Sequence, residues 1–331
     1  MLLTALRTNA QSLRHLRALC LPIGMGKWQY LNRRTRSAAV LDDLLHAAPG
    51  LTRMDVDMSV VAFDAASLLR NGVVSVRRLC VQNPPASFSA FLADARRCSS
   101  LSELQLNARP DTVPEIEALV DFALNKPLTA LSLEGTELTP ASMPALARLV
   151  SGGSLTALDV HMGHVLASPA FCAVSAAPLV FLYLESAQVF DDLKAGLSLL
   201  VAVTGHKTLR HLSLAESPFA PAGRAAVGAA LGLLVAANSP LATLEIWGCD
   251  LGNDGLLSFV DALPRNTHLR RLNCADNEFT QLTATRLLAA VRANASLIFL
   301  EAEEEDPEGN DDPELVGVLA EAMMVVAARA T

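Results

Sequence analysis

Aromatic side chains are scarce: two Trp, two Tyr and eleven Phe make up 5% of a chain that is 51% apolar. The core is therefore expected to be built from Leu, Ala and Val in many small, similar layers. Paired cysteines are missing as well. Cys20, Cys80, Cys98, Cys172, Cys249 and Cys274 show no disulfide-framework or zinc-type spacing, so reduced, cytoplasmic usage is expected. Long hydrophobic runs are absent. The longest uncharged window, Ala225 to Leu244, is interrupted by Asn238, Ser239 and Pro240, whereas a membrane span needs ~20 mostly apolar residues. No membrane association is expected. Arg7, Arg14 and Arg17 break the apolar N-terminal stretch, so no secretory signal is expected. The net charge of −8 supplies no basic domain of the kind a nucleic-acid partner requires.

Catalytic constellations are thin. His161 and His164 share an H-x-x-H spacing, but the first belongs to a strand pattern and the second lies past it. Gly24-Met-Gly-Lys27 resembles the end of a phosphate loop, yet Leu21 stands where its first glycine belongs and Trp28 where Ser or Thr must hold magnesium. Cys98 follows Arg96 and Arg97, which could lower its pKa. Its place before Leu101 reads instead as a packed turn. Asn294-Ala-Ser296 forms a glycosylation sequon at a position where Asn is expected as a turn residue. No metal, cofactor or enzymatic activity is expected.

What the chain does contain is one recurring phrase. Leu241-Ala-Thr-Leu-Glu-Ile-Trp-Gly-Cys-Asp-Leu251 is followed by Leu269-Arg-Arg-Leu-Asn-Cys-Ala-Asp-Asn-Glu-Phe279, and both fit L-x-x-L-x-L-x-x-N/C-x-L. Copies start at Leu16, Leu51, Val76, Leu101, Leu128, Leu155, Leu179, Leu209, Leu241, Leu269 and Leu297. Their spacing, close to 28 residues, leaves room for a strand and a full helix in each repeat. Leu287, Leu288 and Val291 share one helical face between Thr280 and Asn294. Thr139-Pro140 reads as a helix start. Asn125, Asn238, Asn266 and Asn294 each stand three residues before the next strand's leucine, where Asn is expected to end a helix in the left-handed conformation.

The ends differ from the middle. Leu2 to Asn9 matches Leu287 to Asn294, so the chain opens as if inside a repeat helix. Residues 1–36 carry seven bases and no acid, and Trp28, Tyr30, Arg33, Arg34 and Arg36 fall in an insertion between Leu21 and Leu51 that reads as an excursion loop. Residues 301–314 carry nine acids and no base, with Pro307, Gly309 and Pro313 as breakers, so a mobile loop is expected. Residues 306–331 are assigned to this acidic loop and a C-terminal capping helix. Its stripe is Leu315, Val318, Leu319, Ala322 and Met323.

Period, helical second half and N/C position together resemble the ribonuclease-inhibitor-type leucine-rich repeat family, over about residues 2–329. The resemblance implies one α/β domain over 1–331: a right-handed horseshoe solenoid with a parallel β-sheet on the concave face and α-helices on the convex face. The family includes ribonuclease inhibitors, the ligand-sensing ends of NLR receptors, the activator of the Ran GTPase and bacterial effectors delivered into host cells. Only Cys249 and Asn277 fill the N/C position, so the side-chain ladder that ties successive turns is expected to be incomplete.

Alternation sends the third, fifth and seventh residues of each phrase to the strand face. Among them are nine acids (Asp55, Asp57, Glu103, Glu134, Asp159, Glu185, Glu245, Glu301, Glu303) and three arginines (Arg53, Arg78, Arg271), so the face is expected to be negative. Phe181, Tyr183 and Trp247 stand among the acids, and exposed aromatics beside charges are the usual material of interface hot spots. The candidate partner-binding set is Asp55, Asp57, Glu103, Glu134, Asp159, His161, Phe181, Tyr183, Glu185, His211, Glu245, Trp247 and Arg271. Tyr183 and Trp247 are expected roughly 10 Å apart, two strand spacings, with His211 between them. The leading expectation is a non-enzymatic scaffold that binds a protein partner with a basic surface. The alternatives are a GTPase activator similar to that of Ran, and the substrate-recognition part of a larger effector or ubiquitin ligase. The expected location is the cytoplasm, or a host cytosol for a delivered effector.

Overall fold

Apolar residues at the fourth and sixth phrase positions and flat or polar residues at the third, fifth and seventh dictate a strand with one buried side. The computed structural model describes residues 18–20, 48, 50–57, 76–82, 88–96, 98–107, 113–135, 141–161, 177–186, 192–237, 239–303 and 312–330. Every strand begins two residues after a phrase's first residue. The chain divides into two compact units, Met1–Glu137 with Gly152–Leu155, and Leu138–Ser151 with Thr156–Thr331.

The first unit holds β1 (Ala18–Cys20), β2 (Arg53–Asp57), β3 (Arg78–Gln82), β4 (Glu103–Asn107) and β5 (Ala130–Glu134). All pair in parallel and in chain order, third residue opposite third. Helices α1 (Phe88–Ala95) and α2 (Val113–Leu124) return the chain between strands. Leu104, Leu106, Leu131 and Leu133 of the strands are buried, and so are Ile116, Leu119 and Phe122 of α2.

The second unit opens with α3 (Met143–Gly152), which starts just after the buried Ser142. It then holds β6 (Ala157–His161), β7 (Phe181–Glu185), β8 (His211–Ser213), β9 (Thr243–Glu245), β10 (Arg271–Asn273) and β11 (Phe299–Glu301). Between them run α4 (Leu193–Thr204), α5 (Arg224–Ala236), α6 (Gly252–Val260) and α7 (Gln281–Ala293), with α8 (Pro313–Ala327) last. Strand order again equals chain order, all parallel. These are leucine-rich repeats with a helix in each described return of this unit, an α/β solenoid. Ala225 to Leu244 is part of α5, its turn and β9. Among the described residues no helix is long and apolar enough to cross a membrane.

Two side-chain ladders hold successive repeats of the second unit. At the N/C position, Ser217 Oγ, Cys249 Sγ and Asn277 Nδ2 donate to the carbonyls of Leu184, Leu214 and Ile246, at 3.2, 3.1 and 2.7 Å. Each acceptor is the sixth residue of the preceding phrase. The ladder is continuous over these repeats, contrary to the sequence expectation, because a serine hydroxyl does what Asn or Cys does elsewhere. Burial pushes the Cys249 thiol up to about 12, which keeps the proton it donates.

The second ladder corrects the expectation for the asparagines. Asn266 and Asn294 are extended, at φ −81° and −80°, and not left-handed. They act through their side chains. Asn294 Oδ1 accepts from the amides of Ser296 and Leu297, and Nδ2 donates to the carbonyls of Leu263 and Asn266. Asn266 does the same with His268, Leu269 and Val235. One repeat-pair earlier in this position stands His206, whose Nδ1 accepts from the amides of Thr208 and Leu209 at 3.2 and 3.0 Å. The sequon at Asn294 is therefore buried and its amide is occupied.

Left-handed residues occur at different places: the eighth of the phrase, where Gly135, Ser186, Glu216, Gly248 and Asp276 have φ between 50° and 69°, then Asp250 and Glu278 at the tenth, and Gly252. The eighth is the recurring one. That residue turns the chain from the strand toward its helix. Helices α5 and α6 meet through glycine. A Cβ on Gly228 would overlap the Gly255 carbonyl oxygen, and one on Gly232 would lie 2.7 Å from that of Ser258.

Helix α8 buries Leu319, Ala322 and Val326 and packs on α7 and β11. Asp312 caps it by accepting from the Glu314 amide at 3.0 Å. The segment Leu2–Asn9, the insertion after Leu21 with Gly24-Met-Gly-Lys27, Thr139-Pro140, His164, Asn238 and the acidic stretch 304–311 lie outside the described residues.

Candidate functional site

Because the phrases within each unit pair in the same register, side chains at one phrase position form a row across the strands of that unit. In the first unit the third-position row reads Arg53, Arg78, Glu103, Ala130, and the fifth reads Asp55, Cys80, Gln105, Ser132. The acids here are met by arginines of the same face. Arg53 Nη2 lies 2.9 Å from Asp55 Oδ2, and Arg78 Nη1 lies 3.8 Å from Glu103 Oε2. Asp55 is itself nearly buried, and so is Cys80, whose thiol is pushed up first by burial and then by Asp55. Glu134 is half-exposed, and Asp57 belongs to β2. Those two ion pairs offset part of the acidic charge on the strand face of this unit.

The second unit is different. Its third-position row is Ala157, Phe181, His211, Thr243, Arg271 and Phe299; its fifth is Asp159, Tyr183, Ser213, Glu245, Asn273 and Glu301. The seventh residues are His161, Glu185, Ala215, Trp247, Ala275 and Glu303. Five acids on these rows (Asp159, Glu185, Glu245, Glu301, Glu303) stand against one arginine, Arg271.

The third row is a line of flat groups. Phe181 stacks on His211 with centroids 4.3 Å apart and planes 11° apart, and on Tyr183 at 6.4 Å. Phe181 thus packs against a ring of its own strand and one of the next. At the other end the Arg271 guanidinium lies 4.2 Å over the Phe299 ring. Burial, then Arg271, lowers the His211 pKa, so this imidazole is neutral at pH 7.

The fifth row is where charge concentrates. Ser213 is fully buried and its hydroxyl donates to Glu185 Oε1 at 2.9 Å. Burial and then Glu185 raise the Glu245 carboxyl, with the Ser213 hydrogen bond and Arg271 opposing them. Burial, Glu245, Glu185 and Asp159 raise the Tyr183 phenol, so it stays protonated. His161 Nδ1 lies 3.4 Å from Glu185 Oε2. Asn273 donates to Glu301 at 2.9 Å.

Four of the thirteen sequence candidates belong to the first unit and nine to the second. The proposed arrangement of Tyr183, His211 and Trp247 is corrected by the register. His211 is opposite Phe181 and Thr243, and Ser213 is the residue opposite Tyr183 and Glu245. Trp247 belongs one row further on, level with Glu185 and Ala215. Tyr183 is a fifth residue, His211 a third and Trp247 a seventh, and a parallel ladder without slippage keeps those rows apart. Ser213 and Phe299 were not among the candidates; reading phrases across repeats rather than along each one is the signal that finds them. Cys98 is a buried turn residue pushed up to about 11 by burial, which outweighs the lowering by Lys126 and removes the idea of an activated thiol. Among the described residues no group of three or more His, Cys, Asp or Glu side chains is placed to hold a metal ion.

No family model matches the chain, and no curated protein matches it. Among solved structures, the chain is similar to the leucine-rich repeat-containing protein LegL7 from Legionella pneumophila, at 12% identity over 96% of this chain and 94% of that one, with a TM-score of 0.49. It is also similar to the C-terminal domain of tropomodulin from Caenorhabditis elegans, at 18% identity over 41% and 80% with a TM-score of 0.31. A third is the structure titled leiomodin-1 actin-binding site 2, at 13% identity over 44% and 82% with a TM-score of 0.33.

Proposed function

We propose that the chain is a non-enzymatic protein-interaction scaffold and that the strand face of its second unit is the binding surface. The observation that carries this reading is the juxtaposition on one face of five acids, a single arginine and the half-exposed Tyr183 and Trp247. Aromatic anchors in a partly desolvated setting supply affinity, and surrounding charge supplies specificity and speed of encounter. The partner is a protein with a basic surface. The period near 28 and the helix in each return support reading the repeats as ribonuclease-inhibitor-type. The experiment is affinity capture from cell extract with the wild-type chain beside a Tyr183→Ala, Trp247→Ala double variant. A protein retained by the first and lost by the second supports the reading. Equal retention of the same proteins by both removes this face as the binding surface.

A further inference from the structure

Helix α8 carries almost no polar side chain. Of the 15 residues in Pro313–Ala327, Glu314 and Glu321 are the charged ones, and the rest are apolar or glycine. Both acids are engaged by α7: Arg292 pairs with Glu321, and Gln281 Nε2 donates to Glu314 Oε1 at 3.2 Å. Leu319, Ala322 and Val326 fill the core side. A third flank is left, away from α7. Val316, Ala320 and Met324 stand four residues apart along it, with Ala327 beside Met324, so they share one helical face. Val316 is 46% exposed and Met324 65%. Arg329 Nη1 donates to the Leu297 carbonyl, which brings the end of α8 to the start of β11, where Ile298 is 39% exposed.

The last unit of a repeat array ordinarily shows water a polar outer face, and a helix that is apolar all round is normally covered all round. The cover of this flank must be apolar along the stripe and opposite in charge at its ends. Asp312 and Glu314 make the start of α8 acidic, and residues 301–314 as a whole carry nine acids and no base. Arg329 stands at the other end. Its guanidinium donates to the Leu297 and Val291 carbonyls, which carry no charge to neutralise it. An antiparallel copy of the same helix has the inverse order, a cation level with the acids and acids level with the cation. The spacing fits. Asp312 lies eight residues before Ala320 and Arg329 nine after it, ~12 and ~14 Å of helix. A two-fold axis at Ala320 therefore sets Val316 of one copy against Met324 of the other, and the acidic start of each helix beside the other's Arg329. The small side chain of Ala320 lets the helices cross closely.

We infer that α8 pairs with α8 of a second copy of this chain, antiparallel about a two-fold axis at Ala320, and that this pairing covers the apolar flank. A contact in which the same patch meets itself closes, so the assembly stops at two chains. The pairing goes beyond the strand face proposed above and holds whether or not that face binds a partner.

The test is sedimentation equilibrium of the full chain over a concentration series. The mass should rise to twice the 35.1 kDa of one chain. Val316→Glu and Met324→Glu each put an unpaired charge into the contact and should hold the chain as a monomer. Both side chains are exposed in the single chain, so its circular dichroism should not change. Leu233→Glu, at an equally exposed apolar residue of α5, should leave the dimer intact. Ala320→Cys adds a gain that a misfolded variant cannot produce. A residue on the axis meets its own copy within the ~7 Å between Cα atoms that a disulfide spans, so copper phenanthroline should link two chains. Ala289→Cys, exposed on α7, should link no more than wild type. A mass that stays at that of one chain gives the flank to a different protein and overturns the pairing. A dimer that survives both glutamate variants, or equal linking of Ala320→Cys and Ala289→Cys, also overturns it.

Discussion

Asn294 donates through Nδ2 to the backbone carbonyl of Asn266, the residue that holds the same place one repeat earlier, at 2.9 Å. Both side chains are buried, and each accepts two amides at the start of the next strand. Repeats are thus tied by polar contacts on the helix-to-strand side as well as by the leucine core. A buried amide left without its acceptor costs about 1–3 kcal/mol. Asn266→Ala or Asn294→Ala should each lower stability by about 2–4 kcal/mol in urea unfolding. His206→Asn should cost far less than His206→Ala, because Asn at the equivalent place accepts the same pair of amides. A loss below about 0.5 kcal/mol for Asn294→Ala would contradict this role.

Two glycines should respond in opposite directions to the same change. Gly228 faces the Gly255 carbonyl with no room for a methyl group, whereas Gly317 in α8 has open space around it. Gly228→Ala must push α5 from α6 and should cost several kcal/mol, about the range of severe overpacking. Gly317→Ala should stabilise by up to about 1 kcal/mol, the usual difference in a helix interior. Melting temperatures of the two variants decide the matter.

Glu245 should lower the stability of the fold at neutral pH. Its carboxyl is raised in the folded state, chiefly by burial and then by Glu185. The folded protein therefore holds that proton more tightly than the unfolded chain does. The ionised form costs stability above the ordinary carboxylate range, and the cost is relieved as pH falls through the raised value. Glu245→Gln should raise the melting temperature at pH 7, by less than about 1 kcal/mol in stability for a group with solvent access. The gain should vanish near pH 4. A gain that grows on acidification would reverse the sign of the argument. A residue that weakens the fold on the face proposed to bind a partner is the expected trade of stability for function.

Helix α8 is expected to act as the cap of its unit. Removing residues 313–331 takes away Leu319, Ala322 and Val326 and the Arg329 guanidinium that donates to the Leu297 and Val291 carbonyls. Each large apolar side chain returned to water costs ~1.5–3 kcal/mol. The truncated chain should melt earlier and self-associate in sedimentation. An unchanged melting temperature with a monomeric species would remove the capping role.

The architecture was legible because it rests on a repeated local pattern. A leucine at the fourth phrase position has one possible orientation once the strand forms, so the copy at Leu16, like the others, leads into a strand, Ala18–Cys20. The ladders were legible only in part. Asn266 and Asn294 were found, but their conformation was mistaken, because an extended Asn that caps amides and a left-handed Asn that ends a helix leave the same mark in a sequence. Ser217 and His206 escaped because their hydrogen-bonding role depends on where the neighbouring turn places its carbonyl or amide. For the site, the alternation along each strand shows in the half-buried pattern of β5, β6 and β7, yet Asp55, Cys80, Ser213, Ala215 and Thr243 are buried at positions that the alternation sends outward. Pairing of Asp55 with Arg53 and the hydrogen bond from Ser213 to Glu185 are properties of neighbouring rows and rotamers. Composition along one strand carries neither.

The most direct test of the binding-face account is the kinetics of the captured complex with face variants. Charge acts at long range and is screened within ~10 Å at 0.1 M salt, whereas aromatic anchors act only in contact. Asp159→Lys should therefore mainly slow association, with an effect that fades at high salt, and Trp247→Ala and Tyr183→Ala should mainly speed dissociation, each costing ~2 kcal/mol or more. Association and dissociation rates indistinguishable from wild type in all three variants would contradict the account and place the functional surface elsewhere on the molecule.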